Sequence, residues 1–174
     1  MLIRDDVVEI REVDEAGADG LFPVYKECED FLALGPVAAA SLEMVRADWK
    51  TSQSEGGIFC GIHLRGGELA GVLDFVPGNY HGRADTAYIA LLMLRQSCRR
   101  RGIGSRVLDL VESEVRKDPR VDRIRIGAQV NNPSAIQFWQ NRGFRIYSGP
   151  ELLADQTTVY RLEKIITPAG AAVP

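Results

Sequence analysis

Three consecutive arginines, Arg99, Arg100 and Arg101, run directly into Gly102, Ile103 and Gly104. Fixed positive charge and forked N–H donors suit phosphate oxygens, and two glycines let a backbone turn sharply and approach a ligand closely. A helix opening at Gly104 would add unpaired N–H groups and the positive end of its dipole. A diphosphate is the natural occupant of such a turn. The same run also fits a plain glycine turn flanked by solvated arginines, so the neighbouring elements must decide.

Two familiar phosphate chemistries recede at once. A dinucleotide fingerprint needs a third glycine where Val107 stands, and a P-loop needs Gly-Lys-Ser or Gly-Lys-Thr, which is absent.

The elements around the turn favour a ligand site. Ala87 to Leu94 is apolar almost throughout and reads as a central strand covered on both faces. From Gly104 to Lys117, Val107, Leu108, Val111 and Val115 recur at helical spacing. Arg123 to Val130 alternates with period two, which completes a strand-helix-strand unit with parallel strands. Asn132, Pro133 and Gly143 mark a short helix over residues 133–142. Upstream, Val7 to Val13 reads as a strand, Asp19 to Leu34 and Ala38 to Ser54 as two helices, and Ile58 to Leu64 with Glu68 to Val76 as a hairpin. Phe144 to Ser148 and Thr157 to Glu163 read as two final strands, giving the order βααβββαβαββ.

At 174 residues with 45% hydrophobic and 26% charged side chains, the chain suits one domain, placed at residues 1–166, with a frayed tail over 167–174. The net charge of −3 supplies no global field for nucleic acid or anionic lipid. An opening without an apolar run and the lack of a membrane-length apolar stretch lead to the expectation of a cytoplasmic protein without membrane partners. Cys28, Cys60 and Cys98 are widely spaced and only His63 and His81 supply imidazoles, so reduced thiols and no metal site are expected.

Arg99-x-x-Gly102-x-Gly104, between an apolar strand and an amphipathic helix, resembles the acetyl-CoA motif of the GNAT superfamily of N-acyltransferases. Asn132, Ala135, the aromatic pair Phe138-Trp139 and Gly143-Phe144 resemble that family's second signature in the same spacing. The resemblance spans roughly residues 7–163 and is strongest from 87 to 144. It implies an α/β fold of GNAT type: a mixed, largely antiparallel central sheet with one parallel, splayed strand pair, flanked by helices. It further implies transfer of an acetyl group from acetyl-CoA, or another acyl-CoA, to a primary amine by direct attack. The acceptor would be a small-molecule amine, a peptide N-terminus or a lysine, and homodimerisation is compatible with the family.

Carried onto this sequence, the resemblance assigns Arg99, Arg100, Arg101, Gly102, Ile103, Gly104 and Ser105 to the cofactor diphosphate. Leu92, Met93 and Leu94 fall to the pantetheine arm through their backbone, on a strand that carries a bulge. An unpaired N–H near Leu94 would meet the thioester oxygen and stabilise the developing oxyanion. Asn132 resembles the asparagine that bonds the cofactor arm, and helix capping explains it equally well. Phe138 and Trp139 fall beside the cofactor.

Trp139 departs from the family, which commonly has tyrosine there as proton donor to the departing thiolate; an indole can donate a hydrogen bond but cannot act as an acid. Tyr147, Tyr88 and Cys98 are the possible replacements, with Tyr147 preferred. Candidate bases acting through water are Asp74, Asp85, His81, Glu29 and Asp30. Two other classes remain in view: a silent acyl-CoA-binding module, motivated by Trp139, and a nucleic-acid contact at the arginines.

Overall fold

The computed structural model describes residues 1–166; the tail assigned to 167–174 lies outside them. Eight strands form one sheet in the spatial order β1-β2-β3-β4-β5-β6-β8-β7. They are β1 (Leu2–Arg4), β2 (Val8–Glu12), β3 (Ile58–Leu64), β4 (Leu69–Val76), β5 (Thr86–Leu94), β6 (Arg123–Gln129), β7 (Arg145–Leu152) and β8 (Thr158–Ile165). All neighbours run antiparallel except β5 and β6, which pair in parallel. This is the mixed sheet with one parallel pair that the sequence implied.

The helices are α1 (Glu15–Ala18), α2 (Phe22–Glu27), α3 (Glu29–Leu32), α4 (Leu42–Ser54), α5 (Ile103–Val115) and α6 (Pro133–Asn141). They divide the core. On one face, α5 residues Val107, Leu108, Val111 and Val115 pack with Leu73, Phe75, Ile89, Ile124, Ile126 and Leu162. On the other, α1 to α4 cover Phe59, Val72, Leu91 and Met93 through Leu21, Val24, Tyr25 and Val45. Each such fully buried aliphatic side chain contributes about 1.5–3 kcal/mol, which fixes both helical layers against the sheet.

Several boundaries differ from the sequence reading for local reasons. The helix expected over Asp19 to Leu34 is a 3-10 turn, α2 and α3, because Cys28 leaves helical geometry at φ −105° and ψ 21°. The second helix starts at Leu42 instead of Ala38, since the Ser41 side chain caps it by accepting from the Met44 N–H at 3.1 Å. β1 is too short to show alternation, and β7 runs on to Leu152, so the expected Ser148 to Gln156 connection begins as strand.

β4 and β5 approach each other very closely: a Cβ at Gly71 would collide with the Met93 carbonyl oxygen and the Leu94 side chain. Glycine there holds the ladder beneath the functional end of β5.

Candidate active site

β5 changes partners along its length. It pairs with β6 only from Thr86↔Arg123 to Ile89↔Ile126, and from Ala90 onward that side of β5 is open. Against β4 the register shifts between Asp74↔Leu91 and Phe75↔Ile89, so Ala90 is an extra, unpaired residue. The bulge thus sits at Ala90, four positions before Leu94. Ala90 is exposed although it lies mid-strand in the sheet interior, which marks the mouth of a cleft between the splayed strands.

The ladder fixes where the backbone groups of β5 point. The Arg95 N–H donates to the Ala70 carbonyl at 2.9 Å, so by antiparallel alternation Met93 and Leu91 also bond to β4. The N–H and C=O groups of Leu92 and Leu94 therefore face the open side.

The turn after β5 presents backbone rather than arginine side chains. Gly102 is left-handed at φ 79°, where a side chain would be strained, and it opens α5 without a capping side chain. The N–H groups of Ile103, Gly104 and Ser105 have no intrahelical acceptor, whereas Arg106 bonds to the Gly102 carbonyl at 3.1 Å. Gly104 packs on Phe138 and Leu94, with room for a Cβ at 3.5 and 3.6 Å. These features fit a diphosphate.

The Arg99 side chain is engaged within the fold. Its Nε donates to the Leu94 carbonyl at 2.8 Å, its guanidinium pairs with Asp30 of α3, and Nη2 reaches the Cys28 sulfur at 3.4 Å. Arg101 donates to the Ser97 carbonyl at 3.2 Å, and Arg100 is exposed. The charge facing solvent at the turn is that of Arg100 and Arg101.

At the second signature, Asn132 caps α6: its Oδ1 accepts from the Ala135 N–H at 3.1 Å and from Ser134 Oγ at 3.0 Å. Phe138 lies between turn and strand, while Trp139 is core, buried edge-on between Phe138 and Phe144 at 5.1 Å from each. Its burial, not proton chemistry, accounts for the indole.

Among the candidate bases, Asp74 lies beside the splay. It sits on β4 opposite Leu91, is buried, and accepts from Ser52 Oγ of α4 at 2.6 Å. Burial pushes its carboxyl up to about 6, partly opposed by the Ser52 hydrogen bond. Burial likewise raises nearby Asp48, which accepts from the Tyr25 hydroxyl at 2.7 Å.

The other candidates are engaged or distant. Asp85 precedes the far end of β5, about 17 Å of strand from Ala90, and Thr86 Oγ1 donates to it at 2.7 Å, which lowers its pKa. Glu29 bonds Lys26 and the Ala40 N–H, and Asp30 bonds Arg99; both are lowered by those partners. His81 is exposed and stacks on Tyr80 at 4.1 Å.

Tyr147 lies on β7, and its exposed ring reaches across the sheet to Arg125 of β6, which is the register partner of Tyr88 and lies 4.7 Å from the ring centroid. Cys98 is buried. Tyr88 is the tyrosine brought to the cleft: its hydroxyl lies 3.3 Å from where a Cβ of Gly127 would stand, and burial raises its pKa, keeping the hydroxyl protonated. Sequence reasoning missed Asp48 and Ser52; their polar i, i+4 spacing on the inner face of α4 was the available signal.

Among the described residues no cluster of His, Cys, Asp or Glu suits a metal ion, and no helix is long and apolar enough to cross a membrane.

A sheet opened between its parallel strands beside an uncapped helix N-terminus fits an acyl-CoA-dependent transferase. Residues 22–144 match the Acetyltransferase (GNAT) family, and the chain belongs to that family: it is an N-acetyltransferase that takes its acetyl group from acetyl-CoA. No curated protein sequence matches it. Among solved structures, an acetyltransferase from Thermus thermophilus superposes with a TM-score of 0.78 at 23% identity, covering 95% of this chain and 100% of the other. An acetyltransferase of Salmonella typhimurium that modifies the N-terminal serine of ribosomal protein L7/L12 gives 0.75 at 22%, covering 95% and 99%. A spermidine N-acetyltransferase from Vibrio cholerae, in complex with CoA and spermine, gives 0.68 at 10%, covering 91% and 95%.

Proposed function

We propose that acetyl-CoA lies in the β5–β6 splay and that a primary amine, on a peptide or a small molecule, enters from the α2–α4 face. The observation that carries this is the end of β5–β6 pairing at Ile89↔Ile126, which leaves the Leu92 and Leu94 backbone facing a gap next to the bare start of α5. The N–H groups of Ile103, Gly104 and Ser105 hold the diphosphate, with Arg100 and Arg101 adding charge. The Leu94 N–H bonds the pantetheine arm, its carbonyl being taken by Arg99 Nε and the Cys28 thiol.

Bound acetyl-CoA supplies an acetyl group activated as a thioester. With the diphosphate held at the start of α5, the thioester would fall toward the bulge, and the Leu92 N–H would be its oxyanion donor in place of Leu94. A fixed N–H in a water-poor cleft stabilises charge developing on the acyl oxygen. Asp74, ionised above about pH 6, accepts the amine's proton through water. The protonated Tyr88 hydroxyl would give its proton to the leaving thiolate.

Mixing the protein with acetyl-CoA and a panel of peptides and polyamines, with release of free thiol as readout, tests this reading. Thiol release tied to a product 42 Da heavier, the mass of an acetyl group replacing a hydrogen, is about what direct transfer requires. A labelled acetyl-cysteine at Cys28, Cys60 or Cys98 would contradict it.

A further inference from the structure

Three buried side-chain polar atoms have no partner among the described residues: His63 Nδ1, Arg142 Nε and Gln129 Oε1. His63 is on β3 and Arg142 follows α6, whereas Gln129 ends β6 at the splay. Buried polar groups are nearly always paired, and one left unpaired at a cleft calls for an absent partner.

The position of Gln129 says which partner. Continuing the β5–β6 register would set Ala90 against Gly127 and Leu92 against Gln129. Ile126 and Ala128 point into the α5 core, so Gly127 and Gln129 lie on the opposite face, the side of α2 to α4. The loop after α3 roofs this spot. Asn131 Nδ2 donates to the Leu34 carbonyl at 3.1 Å, and the Gln129 amide nitrogen lies 3.4 Å from where a Cβ of Gly35 would stand. Glycine at 35 leaves that space free.

We infer that Gln129 is a specificity-determining residue that hydrogen-bonds the first amide of a peptide acceptor, an inference resting on the splay as active site. A carboxamide offers one acceptor and one pair of donors, which matches the N–H and C=O of a peptide bond. A polyamine offers N–H donors and no carbonyl, so it satisfies half of the group. The terminal torsion of glutamine is soft and lets the carboxamide align with an incoming peptide. An amine presented as a chain N-terminus therefore fits this face better than a polyamine.

Steady-state kinetics of Gln129→Leu and Gln129→Glu with tetrapeptides of varied first residue and with spermidine test the inference. Expected is a rise in peptide KM of at least about tenfold in Gln129→Leu, because loss of the carboxamide leaves the polar groups of the buried peptide bond unpaired. In that variant the acetyl-CoA constant should stay within about twofold, and the spermidine KM should rise less than the peptide KM. Gln129→Glu, which keeps the shape and loses the donors, should shift preference from peptide toward spermidine. Peptide KM unchanged in both variants, all constants moving together, or a wild type that acetylates spermidine but no peptide would overturn it. Titration of the wild type with acetyl-CoA separates the two levels: failure to bind would remove the active-site reading itself, whereas binding with peptide turnover insensitive to Gln129 would remove only this inference.

Discussion

The Nε of Arg99 donates to the carbonyl of Leu94 at 2.8 Å, while the same guanidinium pairs with Asp30 on α3. One side chain thus ties the open end of β5 to α3. With the Arg95 to Glu27 pair, it locks α2 and α3 onto the turn that leads into α5.

Arg99→Ala should therefore act on stability more than on cofactor affinity. Hydrogen bonds to charged groups contribute about 1.5–3 kcal/mol, and partial exposure here lowers that to about 1–2 kcal/mol, a drop of about 2–8 °C in Tm. Acetyl-CoA affinity by calorimetry should stay within about threefold, whereas Arg100→Ala with Arg101→Ala should weaken it several-fold in an effect that fades with salt.

Proline substitutions discriminate the two edges of β5. Leu92→Pro removes an N–H that faces the cleft, so the fold should persist while kcat falls by about 10²–10³. Met93→Pro removes a bond to β4 and should unfold the protein in thermal melts. Loss of folding in both, or full activity in Leu92→Pro, would count against the oxyanion assignment.

The two glycines of the turn should fail differently. Gly102→Ala forces a side chain into the left-handed region at a cost of about 1–2 kcal/mol, visible in Tm. Gly104→Val sits at an ordinary backbone angle and meets Phe138 and Leu94, so it should remain folded and lose at least about tenfold in acetyl-CoA affinity by obstructing close approach.

Asp74 sets the pH dependence. Its folded pKa of about 6 lies above the ordinary carboxylate value of 3.8, so burial favours the neutral form. The associated stability is fully present below the unfolded pKa and is lost as pH rises through about 6, while activity rises over that window as the base ionises. Asp74→Asn should thus melt higher than wild type at pH 8 yet lose about 10²–10⁴ in kcat and flatten the acid limb of the rate profile.

The turn from Arg99 to Gly104, α5 and the Asn132 to Phe144 segment were readable because their signals are local: glycine angles, caps and helical spacing. The central strand followed from an apolar run and its parallel partner from period-two alternation. The bulge was implied by resemblance, but its seat at Ala90 was not readable, because it depends on the β4 register across which Gly71 meets Met93. The partner of Arg99 was not readable for the same reason: Arg99 and Asp30 are far apart in sequence, and only tertiary packing commits that charge to α3. Asp85 lies at the paired end of β5, and strand order alone brings the Tyr147 ring over Arg125. Gln129 carried no local signal beyond a polar residue at the end of a strand.

The most direct measurement is residue-resolved amide hydrogen exchange by NMR with and without saturating acetyl-CoA. The account predicts new protection at the amides of Leu92, Leu94, Ile103, Gly104 and Ser105, and little change at Met93, whose N–H already bonds to β4. Unchanged exchange at Leu92 and Leu94 in a protein that binds acetyl-CoA would show that the cofactor does not occupy the splay.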